Sequence, residues 1–346
     1  MMKLAKQFTN EKVADLALSL GKFLLKKQAN DGSLLSKDDG THDPWDHLEA
    51  VIGLIIAKEF DAAKLGLQWM ISNQNTDGSW YNTYKKSRPV QKNKQSNHAA
   101  YLATASYYYY LATGDREYIE EIYPTIKNGF SFLRSMQASS GAFAWSIDEE
   151  GCLADDYLIA GNSSIFKSLE CLFHLAKILK DKTTQEQCIR LREGIQRAFR
   201  NVKDNFDLTI DRSRFSMDFY YPALCGVPFD KDLFFTSLNS FYVEGIGIKC
   251  VIEEPWVTVA ESCECALALL KIGYADKAKK LLQEVYEISD QNNIPFMGWQ
   301  YKEEIFWPEE QPTWTAGAML ILLDALFKLT GASNLFLDSI TSEDKQ

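Results

Sequence analysis

Three times in the first half of the chain an apolar, helix-like run ends on a glutamine and then a small turn. The copies are Gln28-Ala-Asn-Asp31-Gly32-Ser33, Gln74-Asn-Thr-Asp77-Gly78-Ser79-Trp80 and, degraded, Gln137-Ala-Ser-Ser140-Gly141-Ala142. A segment that returns at the same place in successive helical units marks an architecture built by repetition. The intervals are uneven, about 46 and then about 63 residues, so the expectation is a ring of hairpins with variable loops rather than a regular solenoid. The turn itself has a mechanical reading. Asp-Gly tolerates positive φ where a helix must reverse, and Gln and Trp can fill the gap to the next hairpin.

With 346 residues and 46% hydrophobic content the chain can bury a large core. No Pro/Gly/Ser-rich linker divides it, so residues 1–346 are expected to form one domain. The net charge of −10 argues against a nucleic-acid or anionic-membrane partner, both of which need a concentrated basic face. Lys85, Lys86, Arg88, Lys92 and Lys94 then read as a solvated loop. Met1 to Asn10 lacks the apolar stretch of a signal peptide and no run reaches the length of a membrane span, which predicts a cytoplasmic protein. The seven cysteines suit a reduced compartment. Cys263 and Cys265 have neither CxxC spacing nor clustered histidines, so they read as core thiols, and no metal or other cofactor is expected.

Apolar residues recur with helical period along most of the chain, and strand-like runs are scarce, so the class is all-α. One set of helices is apolar nearly all round: Trp45 to Ala57, Ala99 to Ala112, Ser163 to Leu179, Val259 to Ile272 and Trp314 to Leu329. Such helices must be packed on every side, as inner helices of a two-layer barrel are. Alternating with them, Glu11 to Lys27, Phe60 to Asn73, Glu117 to Met136, Thr183 to Phe199 and Tyr274 to Ser289 carry one charged face and read as an outer layer. Met217 to Leu224 and Asp230 to Tyr242 supply a sixth pair. The expected fold is an (α/α)6 toroid of six helical hairpins.

Polar and aromatic residues gather before the inner helices. They include His42-Asp43-Pro44-Trp45-Asp46-His47-Leu48-Glu49, Ser96-Asn97-His98, Asp155-Asp156-Tyr157, Met217-Asp218-Phe219-Tyr220-Tyr221, Pro255-Trp256 with Glu261, and Trp307-Pro308-Glu309-Glu310 up to Trp314. One such cluster is ordinary helix capping. Six at the same end of six helices predict a cavity lined by carboxylates and aromatic faces, which suits a polyhydroxylated ligand such as a sugar. Trp45, His47, Asn97, Trp145, Asp156, Tyr220, Tyr221, Trp256, Trp307 and Trp314 are the candidate binding residues. Two carboxylates on opposite walls can run general acid and base chemistry on a glycosidic bond. The favoured pair takes one acid from Asp148, Glu149 or Glu150 and one from Glu309 or Glu310, with Asp46 and Glu261 as alternates.

The stretch from Tyr101-Leu102-Ala103 through Leu111-Ala112-Thr113-Gly114-Asp115-Arg116-Glu117-Tyr118 to Tyr123-Pro124-Thr125 resembles one common in six-hairpin glycosidases, glucoamylase-like enzymes among them. Glu309-Glu310-Gln311 before Thr313-Trp314 resembles the place where those enzymes carry a general-base glutamate, which points to Glu310. Their Trp-Glu-Glu acid motif has only a loose counterpart in Trp145-Ser146-Ile147-Asp148-Glu149-Glu150. The Gln-x-x-Asp-Gly-Ser-Trp turn also resembles the repeat of squalene-hopene cyclases and protein prenyltransferase β subunits, and over its length the chain is similar to bacterial proteins labelled prenyltransferase. That resemblance implies an isoprenoid-processing enzyme in which Asp156 or Asp46 donates a proton. A cyclase's Asp-x-Asp-Asp and an Asp-Asp-x-x-Asp magnesium motif are both missing from the sequence. A third reading is a non-catalytic glycan-binding protein.

Overall fold

The computed structural model describes residues 8–339. Its helices are α1 (Asn10–Lys27), α2 (Pro44–Ile56), α3 (Phe60–Ser72), α4 (Ser96–Thr113), α5 (Arg116–Ser135), α6 (Ile159–Ile178) and α7 (Lys182–Ala198). A single turn, α8 (Val202–Asn205), precedes α9 (Met217–Cys225), α10 (Lys231–Phe241), α11 (Val259–Lys271), α12 (Ala275–Tyr286) and α13 (Thr313–Phe327). The inner helices pack in the closed order α2, α4, α6, α9, α11, α13 and back to α2. Helices α1, α3, α5, α7, α10 and α12 back them from outside, so the expected all-α (α/α)6 toroid is the fold.

Local sequence explains the alternation. Helix α2 buries eleven residues, Pro44 and the run His47 to Ile56, because neighbours press on it from both sides and from the outer layer. Helix α5 buries one face only, through Ile119, Ile122, Ile126, Phe130 and Leu133. The link between α4 and α5 is compact. Gly114 ends α4 in the left-handed conformation at φ 72°, and the Asp115 side chain accepts from Tyr118 N to start α5. That Thr-Gly-Asp-Arg-Glu-Tyr stretch is therefore a turn between an inner and an outer helix, not a site.

The repeated turn is a staple between hairpins. Gln28 Nε2 donates to Gly32 O of its own turn (3.1 Å) and to Ala62 O of α3 (2.9 Å). Gln137 does the same to Gly141 O (2.9 Å) and Leu191 O of α7 (3.3 Å). Gly32, Gly78 and Gly141 all have φ between +90° and +97°, and each lies against a carbonyl of the next outer helix. A further, hidden copy is Ser289 to Pro295, closed by the same bridge, with Asn293 at φ 65° in the glycine's place. Its Ser-for-Gln and Asn-for-Gly exchanges conceal it in the sequence.

Short strands occupy the loops at the N-terminal end of the inner helices. Trp256–Thr258 pairs with Gly298–Gln300, Thr41–His42 with Thr83–Lys85, and Lys94–Gln95 with Ser146–Ile147. At the opposite end the chain closes the toroid axis with buried Leu335 and Phe336, and Asp338 O accepts from Lys167 Nζ at 2.8 Å.

Candidate functional site

Helix α2 begins on Asp43, whose Oδ1 accepts from Trp45 N (2.8 Å) and Asp46 N (2.9 Å), with Pro44 in the first helical position. This cap fixes the direction of the first turn, and it turns Trp45, Asp46 and Glu49 toward a cavity of about 370 Å3 at the N-terminal end of the ring. Helix α11 faces the same space with Glu261 and Glu264, one turn apart on one face. Tyr221 and Met217 of α9, Trp314 of α13 and His98 of α4 complete the inner wall. Asn82, Thr83 and Gln95 reach in from the loop that holds the Thr83–Gln91 hairpin. The inner helices start earlier than the apolar periodicity suggests: Ser96 opens α4 and Ile159 opens α6. Several clusters expected before the helices thus lie in their first turns.

Five carboxylates, Asp43, Asp46, Glu49, Glu261 and Glu264, share this one cavity, and the charges press on one another. Asp46 is half-buried and lines the cavity. Burial, and then the neighbouring Asp43 carboxylate, hold its carboxyl well above the usual range. Glu49, 6% exposed, is likewise raised by burial and then by Glu264. Glu264 is pushed up to about 7 by burial, opposed by two phenols: Tyr220 Oη donates to its Oε2 (2.5 Å) and Tyr221 Oη to its Oε1. Glu261 is buried and its Oε2 has no hydrogen-bond partner among the described residues. His98 Nε2 lies 3.8 Å from Asp43 Oδ1, and burial lowers its pKa.

Of the residues singled out in the sequence, Asp46, Glu261, Trp45, Tyr221 and Trp314 line the cavity. Trp45 meets Tyr221 edge to face, with ring centroids 5.9 Å apart, so the two present an aromatic corner. Tyr220 sits behind the wall, fully buried, and acts through Glu264. The favoured acids lie elsewhere. Asp148, Glu149 and Glu150 form an exposed turn in which Asp148 Oδ1 accepts from Glu150 N and Cys152 N. Glu309 is exposed and Glu310 half-buried, and neither is on the cavity wall. Trp256 and Trp307 pair edge to face on the rim, with Trp256 Nε1 donating to Trp307 O (2.6 Å).

His47, expected to bind substrate, is buried and off the cavity wall, with both ring nitrogens engaged by the backbone. Its Nδ1 accepts from Leu34 N (3.1 Å) and its Nε2 donates to Gly66 O (2.9 Å), so it locks the first turn repeat to α2. Asn162 on α6 and Ser262 on α11 hold later turns in the same way, through Phe143 N and Ile248 N. Asn97 is buried and off the cavity wall. Asp156 pairs with Arg212 (2.9 Å), whose guanidinium stacks over Trp145. This separate cluster near the starts of α6 and α9 also holds Asp207 and Asp218. Asp43 and Glu49 belong to the polar cluster at the start of α2 without being named as candidate acids, and Glu264 stands in no such cluster. Their signal was acidic residues inside or capping otherwise apolar inner helices.

No protein-family profile matches the chain. It is 30% identical over 312 residues to the MMP endo-(1,4)-3-O-methyl-alpha-D-mannosidase of Mycolicibacterium hassiacum, a match covering 89% of this chain and 85% of that one. The chain belongs to this mannosidase's family. Membership makes it a glycoside hydrolase-like enzyme of carbohydrate metabolism. Among solved structures, a wild-type glycosidase is 11% identical, with a TM-score of 0.72 over 94% of this chain and all of that one. A D-mannose isomerase is 12% identical, with a TM-score of 0.70 over 92% of this chain and 98% of that one. At these identities the likeness concerns the fold. The glycosidase side of the resemblance stands, and the prenyltransferase-like side finds no support among these relatives. No helix of the described residues is long and apolar enough to cross a membrane.

Proposed function

We propose that the chain hydrolyses α-mannosidic bonds within a glycan, with Asp46 as general acid and Glu261 as general base. The observation that supports this reading is that one cavity is faced by a carboxyl on α2, raised by burial and by Asp43, and by a buried, unpartnered carboxylate oxygen on α11. The two helices are not neighbours in the ring, since α13 separates them, so a sugar can sit between the acids. Asp46 passes its proton to the glycosidic oxygen as the bond to the anomeric carbon breaks. Glu261 takes a proton from the water whose oxygen bonds to that carbon. Trp45, Tyr221 and Trp314 offer apolar faces to the sugar rings, and Asn82, Thr83 and Gln95 offer hydrogen bonds to hydroxyls. O-methyl groups on the substrate, as in the relative's glycan, would add to the apolar contact. The seven free cysteines, five of them buried, suit a reducing compartment and a cytoplasmic site of action.

The test is incubation with α-(1,4)-linked mannose oligosaccharides, plain and 3-O-methylated, with chromatographic analysis of the products. Internal cleavage that Asp46→Asn and Glu261→Gln each reduce by roughly 10²- to 10⁴-fold is expected. Full turnover by both variants would remove the assignment.

A further inference from the structure

Behind Glu264 lies a second, smaller chamber of about 20 Å3, lined among others by Glu49, Tyr101, Ser164, Lys167, Tyr221 and Glu264. Glu49, Tyr221 and Glu264 also line the main cavity, so they form the partition between the two spaces. The chamber is large enough for about one water, and its polar lining would hold it. Ser164, 3% exposed, has its Oγ without a partner among the described residues. Lys167 Nζ is held by Glu170 (2.5 Å) and Asp338 O (2.8 Å), and Glu170 also pairs with Arg192 (2.9 Å).

The two glutamates of the partition differ in what holds them. Glu264 receives one phenol hydroxyl on each oxygen, the arrangement an ionised carboxylate accepts. Glu49 comes from the second turn of α2, among apolar residues, with Asp46 three residues earlier in the helix. Two carboxylates facing one small, enclosed space cannot both carry charge without a large penalty.

We propose that Glu49 and Glu264 share a single proton, with Glu264 the ionised member, and that this fixed negative charge is a positioning device beneath the sugar. As the glycosidic bond breaks, positive charge grows on the sugar ring, and a buried anion held by two hydroxyls favours that state without reorganising. The titratable groups that face Glu264 and its cavity are Tyr220, Tyr221 and Cys225 from α9, Glu261 with Cys263 and Cys265 from its own helix, Cys250 from the loop before that helix, Glu49, Asp46 and the capping Asp43 of α2, Tyr101 and His98 from α4 and Lys167 from α6. Helix α13 contributes Trp314 and Ile321, which carry no charge. Burial raises Glu49 well above the usual range; burial raises Glu264 as well, to about 7, and the hydroxyls of Tyr220 and Tyr221 oppose that rise. The proton sharing rests on two carboxyls facing one enclosed chamber and on the phenols bound to Glu264; its catalytic consequence rests on the glycoside-hydrolase reading.

Infrared difference titration of the intact protein separates the two. Asp218, pushed up to about 9, and Asp46 also contribute at pH 8, so the readout is the variant-minus-wild-type difference. Loss of one protonated-carboxyl band in Glu49→Gln and none in Glu264→Gln is expected. An unchanged signal in Glu49→Gln would overturn the shared proton, whatever the substrate. On a cleaved glycan, Glu264→Gln should lower kcat roughly 10²-fold with KM little moved. The combined Tyr220→Phe and Tyr221→Phe variant, which keeps both rings, should shift the acid limb of the kcat profile to higher pH, because the hydroxyls that favour ionised Glu264 are gone. An unmoved limb in that folded variant, or wild-type kcat in Glu264→Gln, would overturn the positioning role while leaving the acid and base assignment to its own test.

Discussion

The side-chain amide of Gln74 reaches Thr125 O, 51 residues away in the chain, at 2.9 Å, while also holding Gly78 O of its own turn at 3.0 Å. One residue thus binds the end of the second hairpin to the outer helix of the third. Removing it leaves two backbone carbonyls without their donor. Gln74→Ala should cost about 1–3 kcal/mol in urea unfolding. Gln28→Ala, in a different hairpin and with different partners, should add to it nearly independently.

The glycine of the same turn is irreplaceable for a second reason. A Cβ at Gly78 would stand 2.1 Å from Asn128 O, and the backbone there has φ +90°. Gly114 has φ +72° with open space around it. Gly78→Ala should therefore lose more stability than Gly114→Ala, about 3 kcal/mol or more against about 1 kcal/mol, measured by thermal unfolding.

His47 links stability to pH. Burial, followed by the neighbouring His42, pushes it down to about 3, so the folded protein keeps it neutral. An unfolded histidine takes up a proton near pH 6.5. The stabilisation is thus complete above about pH 6.5 and is lost as pH falls from there toward 3, with a slope of up to about 1.4 kcal/mol per pH unit from this residue. Unfolding curves collected from pH 8 to pH 4 should show a shallower fall in His47→Gln than in the wild type, together with lower stability at pH 8, because Leu34 N and Gly66 O lose an ideal partner.

Glu309 and Glu310 sit outside the cavity wall. Glu309→Gln and Glu310→Gln should each keep kcat/KM on a cleaved glycan within about threefold of wild type. A loss comparable to that of Glu261→Gln would return the base role to this loop.

The toroid was legible because its inner helices are apolar on every side and its outer helices on one, a contrast that six repetitions make hard to mistake. The cavity's position at the helix N-termini was legible for the same reason. The identity of the acids was harder to read. Glu49, Glu261 and Glu264 lie within the apolar runs themselves, where a carboxylate resembles a tolerated exception. Asp148 to Glu150 and Glu309-Glu310, by contrast, stand beside tryptophans in loops and draw attention without facing the ring. Which loop acids turn inward depends on strands such as Lys94–Gln95 with Ser146–Ile147, and those two-residue pairings leave almost no periodic trace. His47 drew attention because a histidine in an acidic, aromatic cluster suggests a site, whereas its two nitrogens close a turn.

The acid and base roles are separated most directly by changing the leaving group. On an unactivated mannoside oligosaccharide, Asp46→Asn and Glu261→Gln should both lose roughly 10²- to 10⁴-fold in kcat/KM. On the dinitrophenyl α-mannoside, whose leaving group departs without a proton, Asp46→Asn should recover most of that loss and Glu261→Gln should recover none. Equal losses for Asp46→Asn on both substrates would contradict its assignment as the acid, and with it the account of this cavity.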